Sequence, residues 1–218
     1  MAQAFLFDLN GTVIDDMHYH ARAWYEILNN DLNAGLNWDQ VKAQMYGKNE
    51  ELLIRIFGNG HFTREQLDRL SVEKEKRYQQ AYLPEMALIP GLQQFFEQAV
   101  LHQVPMAIGS AAIPFNIDFV LDNLHIRHFF QAVVSADDVA ISKPHPETFL
   151  KAAQLLHASP ENCVVFEDAP KGVEAALNAG MKAVVITTMH GKEEFAQYPN
   201  VLFYISDYTD PQLKQLLG

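Results

Sequence analysis

Ala4-Phe5-Leu6-Phe7-Asp8-Leu9-Asn10-Gly11-Thr12 is the stretch on which the reading of this chain turns. Four apolar residues run directly into an aspartate, and a Gly-Thr turn follows at once. A short continuous apolar run bounded by a turn predicts a fully buried strand, the kind found in parallel sheets covered on both faces. Open α/β sheets bind their ligands at the carboxyl ends of the strands. Asp8 therefore stands where chemistry is expected, and Gly11 lets the backbone turn tightly beside it. Alone, Asp8 could equally well cap the segment that follows. Three later segments that end an apolar run in a polar group tip the reading toward a site.

Outward from this stretch the chain alternates. Beyond Pro90-Gly91 the pattern predicts a helix over 91–103 and a strand over 104–109. A helical face of Ile113, Ile117, Val120, Leu121 and Leu124 comes next, then a strand over 132–135. A helix starting at Pro146 carries Phe149, Ala152, Ala153 and Leu156 on one side. A strand over 163–166, a helix from Gly172 to Ala179 closed by Gly180, and strands over 183–186 and 202–205 complete the series. Strands alternating with helices imply an α/β fold with a parallel, doubly covered sheet.

Between Val13 and Leu88 no strand-like run occurs. Asp15 or Asp16 is placed to cap a helix over 17–30, with Ala21, Trp24, Ile27 and Leu28 on one face. Short helices are predicted over 37–45 and 49–57, and a longer one over 64–81 with many charges on its exposed side. The expected organisation is an α/β core from residues 1–15 and 83–218, with an all-helical insert over 16–82. Insertion directly after the first strand would put the helices over the carboxyl end of the sheet. They would act there as a cap that opens and closes, or as a subdomain fixed in place.

Composition narrows the function. The 218 residues are 49% hydrophobic, which suits a large core and argues against disorder. A formal net charge of −11 argues against nucleic acid as a partner, since phosphate backbones call for clustered Lys and Arg. It leaves small phosphorylated ligands open, because a few local cations can hold them. The one cysteine, Cys163, permits no intramolecular disulfide, and its place at the start of an apolar run predicts a buried, inert thiol. No basic leader opens the chain, and no apolar stretch approaches the roughly 18 residues of a membrane span. A soluble cytoplasmic protein, monomeric and not bound to membranes, is expected.

The strand ends carry the chemistry. They present Asp8, then Gly109-Ser110, then Lys143 in Ser142-Lys143-Pro144, then Glu167-Asp168. Carboxylates in oxygen-only surroundings suit a hard cation, above all Mg²⁺, which commonly accompanies substrate phosphates. A hydroxyl and an ammonium suit a phosphoryl group. No GxxxxGK loop is present, so the site is not a P-loop nucleotide site.

Taken together and in order, these segments resemble the four motifs of the haloacid dehalogenase superfamily of phosphatases and phosphomutases. The resemblance covers nearly the whole chain, the helical cap included. Asp16, His20 and Trp24, in Asp16-Met17-His18-Tyr19-His20-Ala21-Arg22-Ala23-Trp24, resemble the β-phosphoglucomutase-like branch. The resemblance implies a Rossmann-like doubly wound core with an inserted helical cap, and Asp8 as a nucleophile that forms an aspartyl-phosphate. It implies that Ser110, Ala111 and Lys143 hold the phosphoryl oxygens. It further implies that Asp8, Asp168, nearby Glu167 and the backbone carbonyl of Asn10 hold Mg²⁺. In the cap, His20 is a candidate for either a site or a structural role, and Trp24 for packing more than for ligand contact. Lys48, with Asn49, occupies a loop where related mutases place a phosphate-binding arginine.

One residue departs from the pattern. The family's phosphatases and mutases carry an aspartate two residues after the nucleophile, as general acid and base, and this chain has Asn10. An amide exchanges no proton near neutral pH, although its backbone carbonyl can still bind Mg²⁺. The expected protein is a slow Mg²⁺-dependent phosphohydrolase of small phosphorylated metabolites, sugar phosphates foremost. The alternatives are a hexose-phosphate mutase and a catalytically impaired binder of phosphorylated ligands.

Overall fold

The computed structural model describes residues 2–217. Its centre is β1 (Ala4–Phe7), every residue of which is buried. Side chains alternate along a strand, and here the alternation serves two cores. Phe5 and Phe7 pack edge-on or stacked with Phe95, Phe166 and Tyr208. Ala4 and Leu6 join Phe149, Ala152, Val173 and Ala176 on the other side. Fully burying one such side chain contributes roughly 1.5–3 kcal/mol.

Five further strands flank β1: β2 (Met106–Gly109), β3 (Ala132–Val134), β4 (Cys163–Glu167), β5 (Lys182–Ile186) and β6 (Val201–Ile205). They pair in parallel in the order β3-β2-β1-β4-β5-β6. The order reverses direction at β1, and such a switch point opens a crevice at the carboxyl ends of the strands. The helices are α1 (Met17–Glu26), α2 (Trp38–Lys42), α3 (Asn49–Phe57), α4 (Arg64–Tyr82), α5 (Leu92–Leu101), α6 (Pro114–Asn123), α7 (Glu147–Leu155), α8 (Pro170–Asn178) and α9 (Lys214–Leu217). Among the described residues no helix is long and apolar enough to cross a membrane.

The chain divides into two units. One contains the chain up to Asp15 and from Ala87 onward, and the other is Asp16–Met86. The second boundary lies four residues beyond the expected one, because α4 runs on into a 3-10 turn at Leu83–Glu85. Where the chain returns to the sheet unit, Ile14 forms an antiparallel bridge to Leu88, and the Ile89 N–H donates to the Val13 carbonyl at 3.0 Å. The bridge is too short to produce an alternating pattern, which is why the sequence shows no strand there.

The helical unit departs from its sequence reading in three places. The helix expected over 17–30 changes winding to a π-turn at Ile27–Asp31. Asn29 accounts for it: its amide donates to the Tyr25 and Leu36 carbonyls and accepts from the Leu36 N–H, competing with the helical ladder. Asp16 precedes α1 without capping it. Its carboxylate instead accepts from the Tyr78 hydroxyl at 2.6 Å. Finally, α4 does not turn all its charges outward, since Leu67, Ser71, Lys74, Glu75, Tyr78 and Tyr82 form its buried side. The other starts follow the local chemistry, with capping boxes at Asn37/Gln40 and Thr63/Gln66.

Cys163 is buried. Burial, and then the charge of Glu161, push its thiol up to about 11. The thiolate is the reactive form, so iodoacetamide at pH 8 is expected to leave the folded protein unmodified. The same reagent is expected to label Cys163 fully in urea, as intact mass would read.

Candidate active site

Asp8 follows β1 directly, and its N–H extends the ladder to the Phe166 carbonyl at 3.0 Å. The register pairs Phe7 with Ile108 on one side and Phe166 on the other. Asp8 is thus level with Gly109 and Glu167, and Ser110 and Asp168 stand one residue further along the same rim. Sheet geometry alone therefore gathers four of the expected residues.

Lys143 reaches this rim from the loop before α7. Its Nζ lies 2.6 Å from Asp8 Oδ1 and 2.8 Å from Glu167 Oε1, with the Phe149 ring 4.5 Å away. It is a buried cation, not a surface one. Burial by itself lowers an ammonium pKa, but the charges of Asp8 and Glu167 prevail and raise it, so Lys143 stays charged.

Glu167 and Asp168 are adjacent yet differently placed. Glu167 accepts from the Ala169 N–H at 2.8 Å, at the start of α8, and from Lys143. Its carboxylate lies so close over the helix that a Cβ on Gly172 would stand 1.7 Å from Oε1. Asp168 turns to the loop after Asp8 instead. Thr12 Oγ1 donates to Asp168 Oδ1 at 3.3 Å, and a Cβ on Gly11, at φ +79°, would stand 2.1 Å from Oδ2. Burial, then the charges of Glu167 and Asp8, raise the Asp168 carboxyl well above its ordinary value, against the pull of Lys143. Three carboxylates thus face one ammonium in a buried, oxygen-rich space. That donor set fits a hard divalent cation, which such sites commonly hold with few protein carboxylates and the substrate's own oxygens. Among the described residues no group of three or more His, Cys, Asp or Glu side chains forms a ready cage for a metal.

Ser110 is buried beyond β2; its N–H donates to the Val134 carbonyl and its Oγ accepts from the Ala112 N–H at 3.1 Å. It does not cap the next helix, whose N-cap is Ile113. Ala111 follows it, half-buried. Asn10 is half-buried and bridges to Ile14. Lys171 pairs with Glu174 in an exposed bridge at 3.1 Å.

The three cap residues singled out in the sequence belong to the helical unit. Trp24 packs in its apolar core with Ile27, Leu28, Val41, Leu52, Leu53 and Leu67. Lys48 precedes α3, and its N–H donates to Glu51 Oε2 at 3.0 Å. His20 is buried in a polar chain that sequence reasoning missed. Its Nε2 lies 3.1 Å from Asp16 Oδ2, its ring stacks on Tyr78 at 3.8 Å, and its Nδ1 meets Lys74 Nζ. Lys74 and Asn49 both donate to Glu75 Oε1. Burial raises the Glu75 carboxyl, but the charges of Lys74 and His20 outweigh this and lower it. The signal was available in the spacing of Ser71, Lys74, Glu75 and Tyr78, which share a side of α4 with Leu67.

Also missed were Thr188 and Tyr208, which touch the loop after Asp8. Thr188 Oγ1 donates to the Gly11 carbonyl at 2.6 Å, and the Tyr208 hydroxyl donates to the Thr12 carbonyl at 3.0 Å. Burial, then the charges of Asp168 and Asp8, hold the Tyr208 hydroxyl well above its ordinary pKa, so it keeps its proton.

The close approach at Gly172 is testable. Alanine there must displace the Glu167 carboxylate and with it Lys143. In Gly172→Ala, the kcat/KM of any reaction this site performs is expected to fall by about 10²-fold, the scale on which displaced groups cost an active site. The melting temperature should move by only a few degrees, because the displaced atoms end a side chain and are not backbone.

Comparison with known proteins places this geometry among relatives. Residues 2–180 match the haloacid dehalogenase-like hydrolase family. The chain is 33% identical to the fructose-1-phosphate phosphatase of Escherichia coli over 180 residues, 82% of this chain and 93% of that one. It is also 33% identical to the β-phosphoglucomutase of Bacillus subtilis over 188 residues, 84% of this chain and 82% of that one. Among solved structures, a HAD hydrolase of family IA, variant 3, from Entamoeba histolytica superposes with a TM-score of 0.85 at 26% identity, covering 99% of both chains.

Proposed function

The chain belongs to the haloacid dehalogenase-like hydrolases, and from that premise we propose that it is a Mg²⁺-dependent phosphohydrolase of small phosphorylated metabolites, working through an aspartyl-phosphate on Asp8. The observation that carries this reading is the buried clamp of Lys143 on Asp8 and Glu167 at the carboxyl rim of the sheet. Sugar phosphates are the substrate class, a choice supported by the two relatives that act on them, the fructose-1-phosphate phosphatase and the β-phosphoglucomutase. Within the family, Asp16, His20 and Trp24 favour the β-phosphoglucomutase-like members. Lys48 and Asn49, in place of an arginine, favour hydrolysis over phosphate return.

Lys143 orients the Asp8 carboxylate, one oxygen of which attacks phosphorus while the bond from phosphorus to the sugar oxygen breaks. Lys143 and the Ser110 hydroxyl, which accepts from Ala112 and so keeps its own proton to donate, bind the phosphoryl oxygens together with the Ala111 N–H. Water then attacks the aspartyl-phosphate, releasing phosphate and restoring the carboxylate. Asp8, Asp168 and the Asn10 carbonyl would hold Mg²⁺, with Glu167 behind them holding Lys143. The bound ion supplies positive charge that offsets repulsion between the carboxylates and an anionic substrate. Asn10 supplies no proton to the leaving sugar oxygen, which takes one from solvent water instead, so turnover is slow.

The test is phosphate release from a panel of sugar phosphates, run with this chain and with Asn10→Asp in parallel. Phosphate from at least one sugar phosphate, abolished by chelation, is expected. No phosphate from either form overturns the reading, and isomerised sugar phosphate formed only with a bisphosphate activator replaces it with a mutase.

A further inference from the structure

The turn that carries Asn10 is tied both to itself and to distant segments. Within it the Leu9 carbonyl accepts from Thr12, Val13 and Ile14, and the Gly11 N–H donates to Ile14. Beyond Asn10, the three successive carbonyls of Gly11, Thr12 and Val13 all accept from donors far away in sequence. Thr188 Oγ1 takes the first at 2.6 Å, the Tyr208 hydroxyl the second at 3.0 Å, and the Ile89 N–H the third at 3.0 Å.

We infer that Tyr208 and Thr188 are positioning residues that hold the nucleophile loop by its backbone and thereby set the places of Asn10 and Asp168. Both lie beyond residue 180, where the family match ends, so they are features of this chain's closing segments. Thr188 stands just past β5, and Tyr208 three residues past β6.

The argument is one of anchoring. The Tyr208 ring is wedged among Phe95 and Phe166, each 5.8 Å away, and Phe7 at 6.5 Å, and its own N–H donates to the Pro90 carbonyl at 2.9 Å. A hydroxyl on so fixed a ring defines where the Thr12 carbonyl sits. From Thr12 the same path continues through Oγ1 to Asp168 Oδ1. Thr188 acts one residue earlier, next to Asn10. A buried carbonyl that loses its donor seeks another by moving, so removing either hydroxyl shifts the loop while leaving the apolar packing in place.

The positioning role rests on the phosphohydrolase reading, and the hold on the loop does not. Tyr208→Phe and Thr188→Val each remove one hydroxyl at nearly constant volume. Hydrogen exchange by mass spectrometry is expected to show amides of residues 9–14 exchanging about tenfold faster, with β1 and β4 unchanged. In the same variants kcat should fall roughly tenfold with KM within twofold, the signature of misplaced groups and not of lost binding. Unchanged loop exchange in both variants overturns the inference. So does a rise of equal size throughout the sheet, which would mark general loosening, and so does faster loop exchange with unchanged kcat. Should Tyr208→Phe fail to fold, Thr188→Val, half-buried at the rim, gives the same readouts. If the unaltered chain releases no phosphate from any substrate, the phosphohydrolase reading falls, and loop exchange alone decides whether the two hydroxyls hold the loop.

Discussion

Asp8→Asn is expected to lower turnover by on the order of 10⁴-fold or more, the scale on which enzymes lose a covalent nucleophile. The amide oxygen is a poor nucleophile, so no phosphorylated protein should accumulate by intact mass. The change also removes a charged partner 2.6 Å from Lys143 and leaves Glu167 as the remaining carboxylate bonded to that ammonium. A buried charge that loses a partner destabilises, so the melting temperature should fall by several degrees while circular dichroism stays native. Undiminished phosphate release by Asp8→Asn would mean that attack comes from elsewhere, and the role of the Lys143 clamp would have to be reassigned.

Asn10→Asp is expected to move activity the other way, raising kcat by roughly 10²-fold, within the range that a positioned general acid and base contributes. Asparagine and aspartate differ little in size, so the turn at Gly11 and its ties to Thr188 and Tyr208 should persist. The added carboxylate joins Asp8, Glu167 and Asp168, and like charges repel an anionic substrate. KM should therefore hold or rise somewhat, and the gain should appear in kcat. Steady-state phosphate release at saturating Mg²⁺ reads both constants. An unchanged kcat, together with loss of activity in Asp8→Asn, would show that residue 10 is not the proton carrier in this protein.

The core was legible because its signals are local. An apolar run of four residues stopping at Asp8 specifies a buried strand and its rim, and the same grammar recurs at Gly109-Ser110 and Glu167-Asp168. What escaped were features decided by side chains that meet across the fold. The sequence pairs Glu167 with Asp168 as like neighbours, yet only packing against Gly172 and Gly11 turns one toward Lys143 and the other toward Thr12. Nothing near Tyr208 or Thr188 in the chain announces a contact with residues 11 and 12. Charge usually seeks water, yet Lys74 and Glu75 are buried, and their partner His20 lies 54 positions away from Lys74. Local grounds offer Asp15 or Asp16 as a cap, whereas Tyr78 takes the Asp16 carboxylate.

The position of β1 at the middle of the sheet has a consequence during synthesis. The strand is made well before its neighbours, β2, which begins at Met106, and β4, which begins at Cys163. The Asp16–Met86 unit, contiguous in sequence, is complete before either neighbour exists. On the ribosome, folding therefore runs from the inside of the message outward. The helices can settle first, while Ala4-Phe5-Leu6-Phe7 waits as an unpaired apolar segment of the kind that draws aggregation or chaperones. Nascent chains halted before Cys163 hold Asp8 but not the second wall of its crevice.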